Sequence, residues 1–131
     1  MRVDRRELAA IFAGGFIGAV ARALLVEVLP YSSGQWPWAT FIVNIAGAAL
    51  LGYFTTRLQE RLPLSAYRRP FLGTGICGAL TTFSAMQLEL LDMLDDERYR
   101  LALAYATTSI VLGYMAIALA TNLTRRTRVA A

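Results

Sequence analysis

Three stretches of this 131-residue chain carry no charged residue: Trp36–Thr56, Phe71–Leu88 and Leu101–Thr124. A helix needs about 20 predominantly apolar residues to cross a bilayer, and each stretch is near that length. A fourth, Leu8–Leu29, is apolar apart from Arg22 and Glu27. Inside lipid the backbone must satisfy its own hydrogen bonds, which favours helices for spans of this kind. The chain therefore reads as an all-α membrane protein, one domain of four transmembrane helices over about 6–29, 38–58, 71–94 and 99–123.

Lysine is absent, so all thirteen basic residues are arginines. They gather at the ends of the spans and form no basic amphipathic face, which argues against a nucleic-acid surface. Four spans place both termini on one side. Arg2, Arg5, Arg6, Arg57, Arg61, Arg68, Arg69, Arg125, Arg126 and Arg128 share that side, and only Arg98 and Arg100 lie on the other. Such a bias predicts cytoplasmic termini. The lone Cys77 allows no intrachain disulfide or zinc site, and with no histidine in the chain a histidine metal site or proton relay is excluded. Arg2, Arg5 and Arg6 before an apolar run, with Ala21-Arg22-Ala23 beyond, have the outline of a signal peptide. The run Gly14, Gly15 and Gly18 instead suits a retained helix that packs closely.

The third span is the unusual one. Between Gly73 and Phe83 it is rich in Gly, Thr and Ser, which hold a continuous helix poorly. We expect it to be broken mid-membrane. Broken backbone is tolerated there only where protein or a wet cavity buries it, and transporters place ion sites at such breaks.

Several residues offer ion chemistry. Asn44, in the middle of the second span, carries two N–H donors that suit an anion or a carbonyl; it could equally be an interhelical bond that only holds the bundle together. Arg22 lies inside the first span, where it draws anions into a vestibule, pairs with Glu27 or Glu89, or snorkels to the head groups. Thr81, Thr82, Phe83 and Ser84 follow the weakest part of the third span. Hydroxyls replace water around a small ion, and a phenyl ring presents an electropositive edge to an anion; core packing is the plainer reading of Phe83. Tyr105, Thr108 and Ser109 fall on one face of the fourth span, as a wet track or as hydroxyls bonded back to their own helix. Glu89 either lines the same track or sits at the interface. No nucleophile–base pair, metal cluster or phosphate loop is present, so no enzymatic activity is expected.

These residues fall into motifs. Gly15-x-x-Gly18-Ala19-x-x-Arg22 lies in the first span and Thr40-x-x-Val43-Asn44-x-x-Gly47 in the second. The third holds Gly75-x-x-Gly78-x-x-Thr81-Thr82-Phe83-Ser84. Over nearly its whole length the chain resembles the small bacterial fluoride channels, the Fluc or CrcB family. The resemblance implies an antiparallel dimer in the bacterial cell membrane, with two narrow pores that export fluoride passively and lower its toxicity. It implies a structural sodium ion (Na+) at the dimer centre, held by backbone carbonyls at the positions of Gly78 and Thr81. It also implies pore roles for Asn44, Phe83 and Ser84, polar positions along the path at Tyr105, Ser109 and Glu89, and a vestibule arginine at Arg22.

One departure stands out. The family pattern Phe-Ser-Thr-Phe reads Phe83-Ser84-Ala85-Met86 here. Met86 is adaptable enough to fill the place of the second phenylalanine, but it has no positive ring edge. The arginine bias is a second one, because an antiparallel homodimer needs both orientations of a single chain. The partner is then either a second copy or an oppositely oriented paralogue. Two other readings remain from the residues. A proton-coupled exporter of the small multidrug type wants a membrane-centred carboxylate, whereas Glu27 and Glu89 lie near span ends. A non-conducting structural subunit of a heterodimeric channel is the other.

Overall fold

The computed structural model describes residues 4–60 and 67–127. Arg2, Arg61 and Arg128, counted above on the side of the termini, lie outside them. Helix α1 runs over Arg5–Val28 and α2 over Trp38–Glu60. A π-helical segment, Pro70–Cys77, leads into the single turn α3, Gly78–Leu80. Then come α4, Phe83–Asp95, and α5, Tyr99–Arg126. Among the described residues four helical stretches are long and apolar enough to cross a membrane: Arg5–Val28, Trp38–Leu58, Pro70–Asp95 and Tyr99–Arg126.

Local chemistry sets the ends. The Asp4 carboxylate accepts from the Arg6 N–H at 2.9 Å and caps α1, satisfying a donor that has no partner within the helix. Pro30 lies just past the end of α1, and Pro37 stands immediately before α2, where its missing N–H costs nothing. Helix α5 continues past its apolar stretch to Arg126. Arg125 and Arg126 in its last turn complement the negative end of the helix dipole, and the Thr127 N–H closes onto the Leu123 carbonyl at 3.2 Å.

The glycines of the third span do not interrupt it. Residues 70–77 stay helical but wound wide, and the Gly78 N–H bonds back to the Gly73 and Gly75 carbonyls. Their use is close packing against α1: a Cβ on Gly75 would stand only 2.9 Å from the Gly14 Cα. The backbone opens after them. Thr81 (φ −76°, ψ 151°) and Thr82 (φ −147°, ψ 110°) are extended, and α4 begins at Phe83.

The most extensive pairings are α2 with α5 and α1 with the π-helical segment. The buried core is small. Met93, Ala102 and Tyr105 form it, with Trp36, Phe41, Met86 and Leu90 packed around them. The Trp36 ring meets Phe41 and Tyr105 edge-on, each at 5.4 Å between centroids. By contrast Phe12, Phe16, Leu103, Ile110 and Tyr114 face outward and are largely exposed. A water-soluble chain rarely leaves so much contiguous apolar surface uncovered; a bilayer supplies the missing cover.

Candidate functional site

The extended pair Thr81–Thr82 is where the candidate residues meet. Asn44, one turn past Thr40 on α2, faces Thr82 across the bundle. Its Nδ2 donates to the Thr82 carbonyl at 3.1 Å, and its Oδ1 accepts from the Thr82 N–H at 2.8 Å. Both backbone partners are unambiguous, so the orientation of the amide is fixed. Thr82 is engaged a third time: its Oγ1 accepts from the Ala85 N–H at 3.2 Å and caps α4. A side chain that bonds both backbone groups of one residue replaces what the helix ladder would have supplied. One N–H of Asn44 remains beyond this clamp.

The clamp also redirects the ladder. In a continuous helix the Thr82 N–H would reach the Gly78 carbonyl; here it goes to Asn44. Gly78 is exposed and Thr81 half-buried. The Thr81 hydroxyl is turned back onto the Cys77 carbonyl at 2.9 Å. A Cβ on Gly47 would collide with the Thr81 side chain, so α2 and the opening approach closely there.

Two cavities adjoin the clamp. One, of about 360 Å³, is walled by Asn44, Gly47, Leu51, Gly78, Thr81 and Phe83. The other, of about 350 Å³, is walled by Ala19, Arg22, Thr40, Val43, Thr82 and Ala85. Thus Asn44, Phe83, Gly78 and Thr81 share one space, and Arg22 reaches another through Thr82 and Thr40. The Phe83 ring is exposed on the surface of the subunit, and Ser84, also exposed, lies 3.3 Å from the Thr82 hydroxyl.

A buried carboxylate continues from Thr40. Thr40 Oγ1 donates to Glu89 Oε1, and the Tyr105 hydroxyl donates to Oε2 at 2.7 Å. Both oxygens of Glu89 are therefore held by hydroxyls, and the pairing with Arg22 considered from the sequence is not formed. Such a carboxylate is tolerated away from water only because it is hydrogen-bonded. Ser109 lies one helical turn beyond Tyr105, and its buried hydroxyl has no hydrogen-bond partner among the described residues. The Tyr31 hydroxyl and Trp36 Nε1 are in the same condition. Burial, and then Asp92, push the Tyr31 phenol above its usual range. Met86 lies apart from the Asn44 cavity and packs against the core of Met93, Ala102 and Tyr105.

Thr40, at the centre, had no assigned part in the sequence reading, and Thr82 entered it only as one hydroxyl of a cluster. Thr40 joins the Arg22 cavity to Glu89, and Thr82 joins the two spans. The signal for Thr40 was its place one turn before Asn44 on the same helix face. For Thr82 it was the N-cap pattern of a threonine three residues before Ala85.

Residues 9–121 match the family described as CrcB-like protein, Camphor Resistance (CrcB). The chain belongs to the CrcB family. It is a multi-pass membrane protein, as its four span-length helices and this family indicate. The CrcB relatives include a Mycolicibacterium paratuberculosis protein named fluoride-specific ion channel FluC 1, 60% identical over 126 residues and 96% of each chain. A Mycobacterium tuberculosis protein of the same name is 59% identical over the same share. A fluoride-specific ion channel FluC of Flavobacterium psychrophilum is 40% identical over 104 residues, 79% of this chain and 84% of its own.

Proposed function

We propose that this chain is a fluoride-selective channel, not an enzyme, which releases cytoplasmic fluoride passively across a bacterial cell membrane. The observation that carries the reading is the near full-length identity to relatives named as fluoride-specific ion channels. The site geometry supports it. The Asn44 amide, the exposed Phe83 ring and the nearby Ser84 hydroxyl offer donors and a positive ring edge to a small hard anion. Arg22, in the wall of the adjacent cavity, supplies positive charge near the entrance. The hydroxyls of Tyr105 and Ser109 and the Glu89 carboxylate extend a polar route along α4 and α5. At Met86 the ring contact of the family's second phenylalanine is missing, so Phe83 bears that contact alone.

The working unit in this reading is an antiparallel pair of chains. Thr74, Gly78, Ser84 and Gln87 are exposed on the third span of a single subunit. Polar groups facing lipid are costly, and a second chain laid against this face would cover them. A structural sodium would sit at the same contact. The Gly78 and Thr81 carbonyls fit a hard cation, which prefers oxygen ligands, and two from each chain make four. The ion would supply fixed positive charge that ties the chains together. The arginines on the side of the termini favour cytoplasmic termini for this chain, and an oppositely oriented paralogue is the alternative to a second copy.

The reading is tested by growth. Bacteria lacking their own fluoride exporter should regain growth in fluoride medium when they make this chain, alone or beside an oppositely oriented paralogue. Unchanged sensitivity with both chains present in the membrane would contradict it.

A further inference from the structure

A groove of about 500 Å³, one helical turn from the Ile117 wall of the Asn44 cavity, is used by nothing above. It lies between the last turns of α2 and α5, walled by Tyr53, Arg57, Ala120, Leu123, Thr124 and Thr127. The two helices touch closely at Gly52, where a Cβ would come within 2.8 Å of the Ile117 carbonyl. Past that contact the walls part.

Its chemistry is graded along its length. Ala120 and Leu123 make the end nearer the span apolar, and the rim residues Leu123 and Tyr53 are 60% and 41% exposed. The hydroxyls do not offer a polar floor: Thr124 donates to the Ala120 carbonyl at 2.6 Å and Thr127 to the Thr124 carbonyl at 3.0 Å. The other end holds a cation. The Arg57 guanidinium lies over the Tyr53 ring, 5.7 Å from its centroid, and Arg126 stands in the last turn of α5. An open, apolar slot with a guanidinium at its mouth, placed where two spans end, matches an amphiphile with an anionic head.

We propose that this groove binds an anionic glycerophospholipid, with its phosphate against Arg57 and one acyl chain along Ala120 and Leu123. A cation at the surface of a membrane is drawn to anionic head groups, and the Arg57 guanidinium is held over the Tyr53 ring at the mouth of the slot. A soluble acidic peptide matches the charge but leaves the apolar slot unfilled.

Native mass spectrometry of the detergent-purified protein, titrated with dioleoyl phosphatidylglycerol or dioleoyl phosphatidylcholine, tests this. One basic residue near a membrane surface favours an anionic lipid by about fivefold. Phosphatidylglycerol should therefore be retained about fivefold better than phosphatidylcholine, and Arg57→Gln should remove that preference. Arg57→Lys should keep most of it, which separates head-group recognition from damage to the fold. Leu123→Trp, which fills the slot, should lower retention of both lipids, and Arg100→Gln at the opposite end should change neither. Equal retention of the two lipids would overturn the proposal. So would a phosphatidylglycerol preference untouched by Arg57→Gln, or efficient crosslinking of Leu123→Cys between two copies with no lipid displaced.

Discussion

Asn44 and Thr82 are joined by two hydrogen bonds, through which one side-chain amide satisfies both the N–H and the C=O of an extended residue. The amide thus holds α2 against the opening between α3 and α4, and the same side chain lines the cavity shared with Phe83. Under the proposed function, structural and conducting roles fall on one group, and they separate by the atom that is changed.

Asn44→Ala removes both bonds and leaves two backbone groups without partners. The expected cost is about 1–3 kcal/mol, read as a lower melting temperature in detergent, together with loss of fluoride flux. Asn44→Asp keeps the acceptor for the Thr82 N–H but puts negative charge beside the route. It should melt closer to the parent than Asn44→Ala and still conduct at least about tenfold less, since a repulsion of 1.4 kcal/mol suffices for that factor. Flux that simply follows thermal stability across both variants would make Asn44 structural alone.

Gly14 and Gly15 are neighbours with opposite surroundings. A Cβ on Gly14 would press on Phe71 and on the Gly75 backbone, while one on Gly15 meets nothing within 4 Å. Gly14→Ala should destabilise by about 1–3 kcal/mol through overpacking. Gly15→Ala should be neutral or gain up to about 1 kcal/mol of helix propensity. Thermal melting of the two variants decides, and equal loss in both would show that Gly15 also meets a close neighbour in the assembled protein.

The four spans were legible because their signal is local: long uncharged runs such as Trp36–Thr56 state their own length and environment. The motifs around Asn44 and Phe83 were legible too, as residue types at fixed spacing. What they touch was not. Glu89 bonds Thr40, 49 positions away in the chain, and no local pattern links the two. The glycines at 73, 75 and 78 read as a weakness in the third span, because glycine marks both poor helix formers and close packing. Here Gly75 packs on Gly14 and the backbone opens only at Thr81. Met86 stood at the second phenylalanine of the family pattern, and that it packs against the cluster of Met93, Ala102 and Tyr105 was not legible from the motif.

If Gly78 and Thr81 carbonyls hold sodium between two chains, cation identity should affect assembly. Exchanging sodium for N-methylglucamine, too large for four carbonyls, should shift the purified protein toward monomer on size exclusion and reduce flux, with recovery on returning sodium. Side-chain changes at Thr81 should matter little to that response, since the backbone supplies the oxygens. A dimer of equal stability in either cation would count against the site.

The distribution of arginines predicts a fixed orientation. C-terminal fusions to a reporter active only in the cytoplasm should give strong signal, and fusions to one active only outside should give little. Strong signal from both would show dual insertion and favour a homodimer of this chain; signal from the inside reporter alone would favour pairing with an oppositely oriented paralogue.

The most direct measurement is anion efflux from liposomes. Purified chain is reconstituted into vesicles loaded with equal concentrations of potassium fluoride and potassium chloride. Potassium is released through valinomycin at equal pH on both sides, and ion-selective electrodes follow both anions. Fluoride should appear outside while chloride stays behind. Equal release of the two anions, or fluoride release only when a proton gradient is imposed, would contradict a passive fluoride-selective channel.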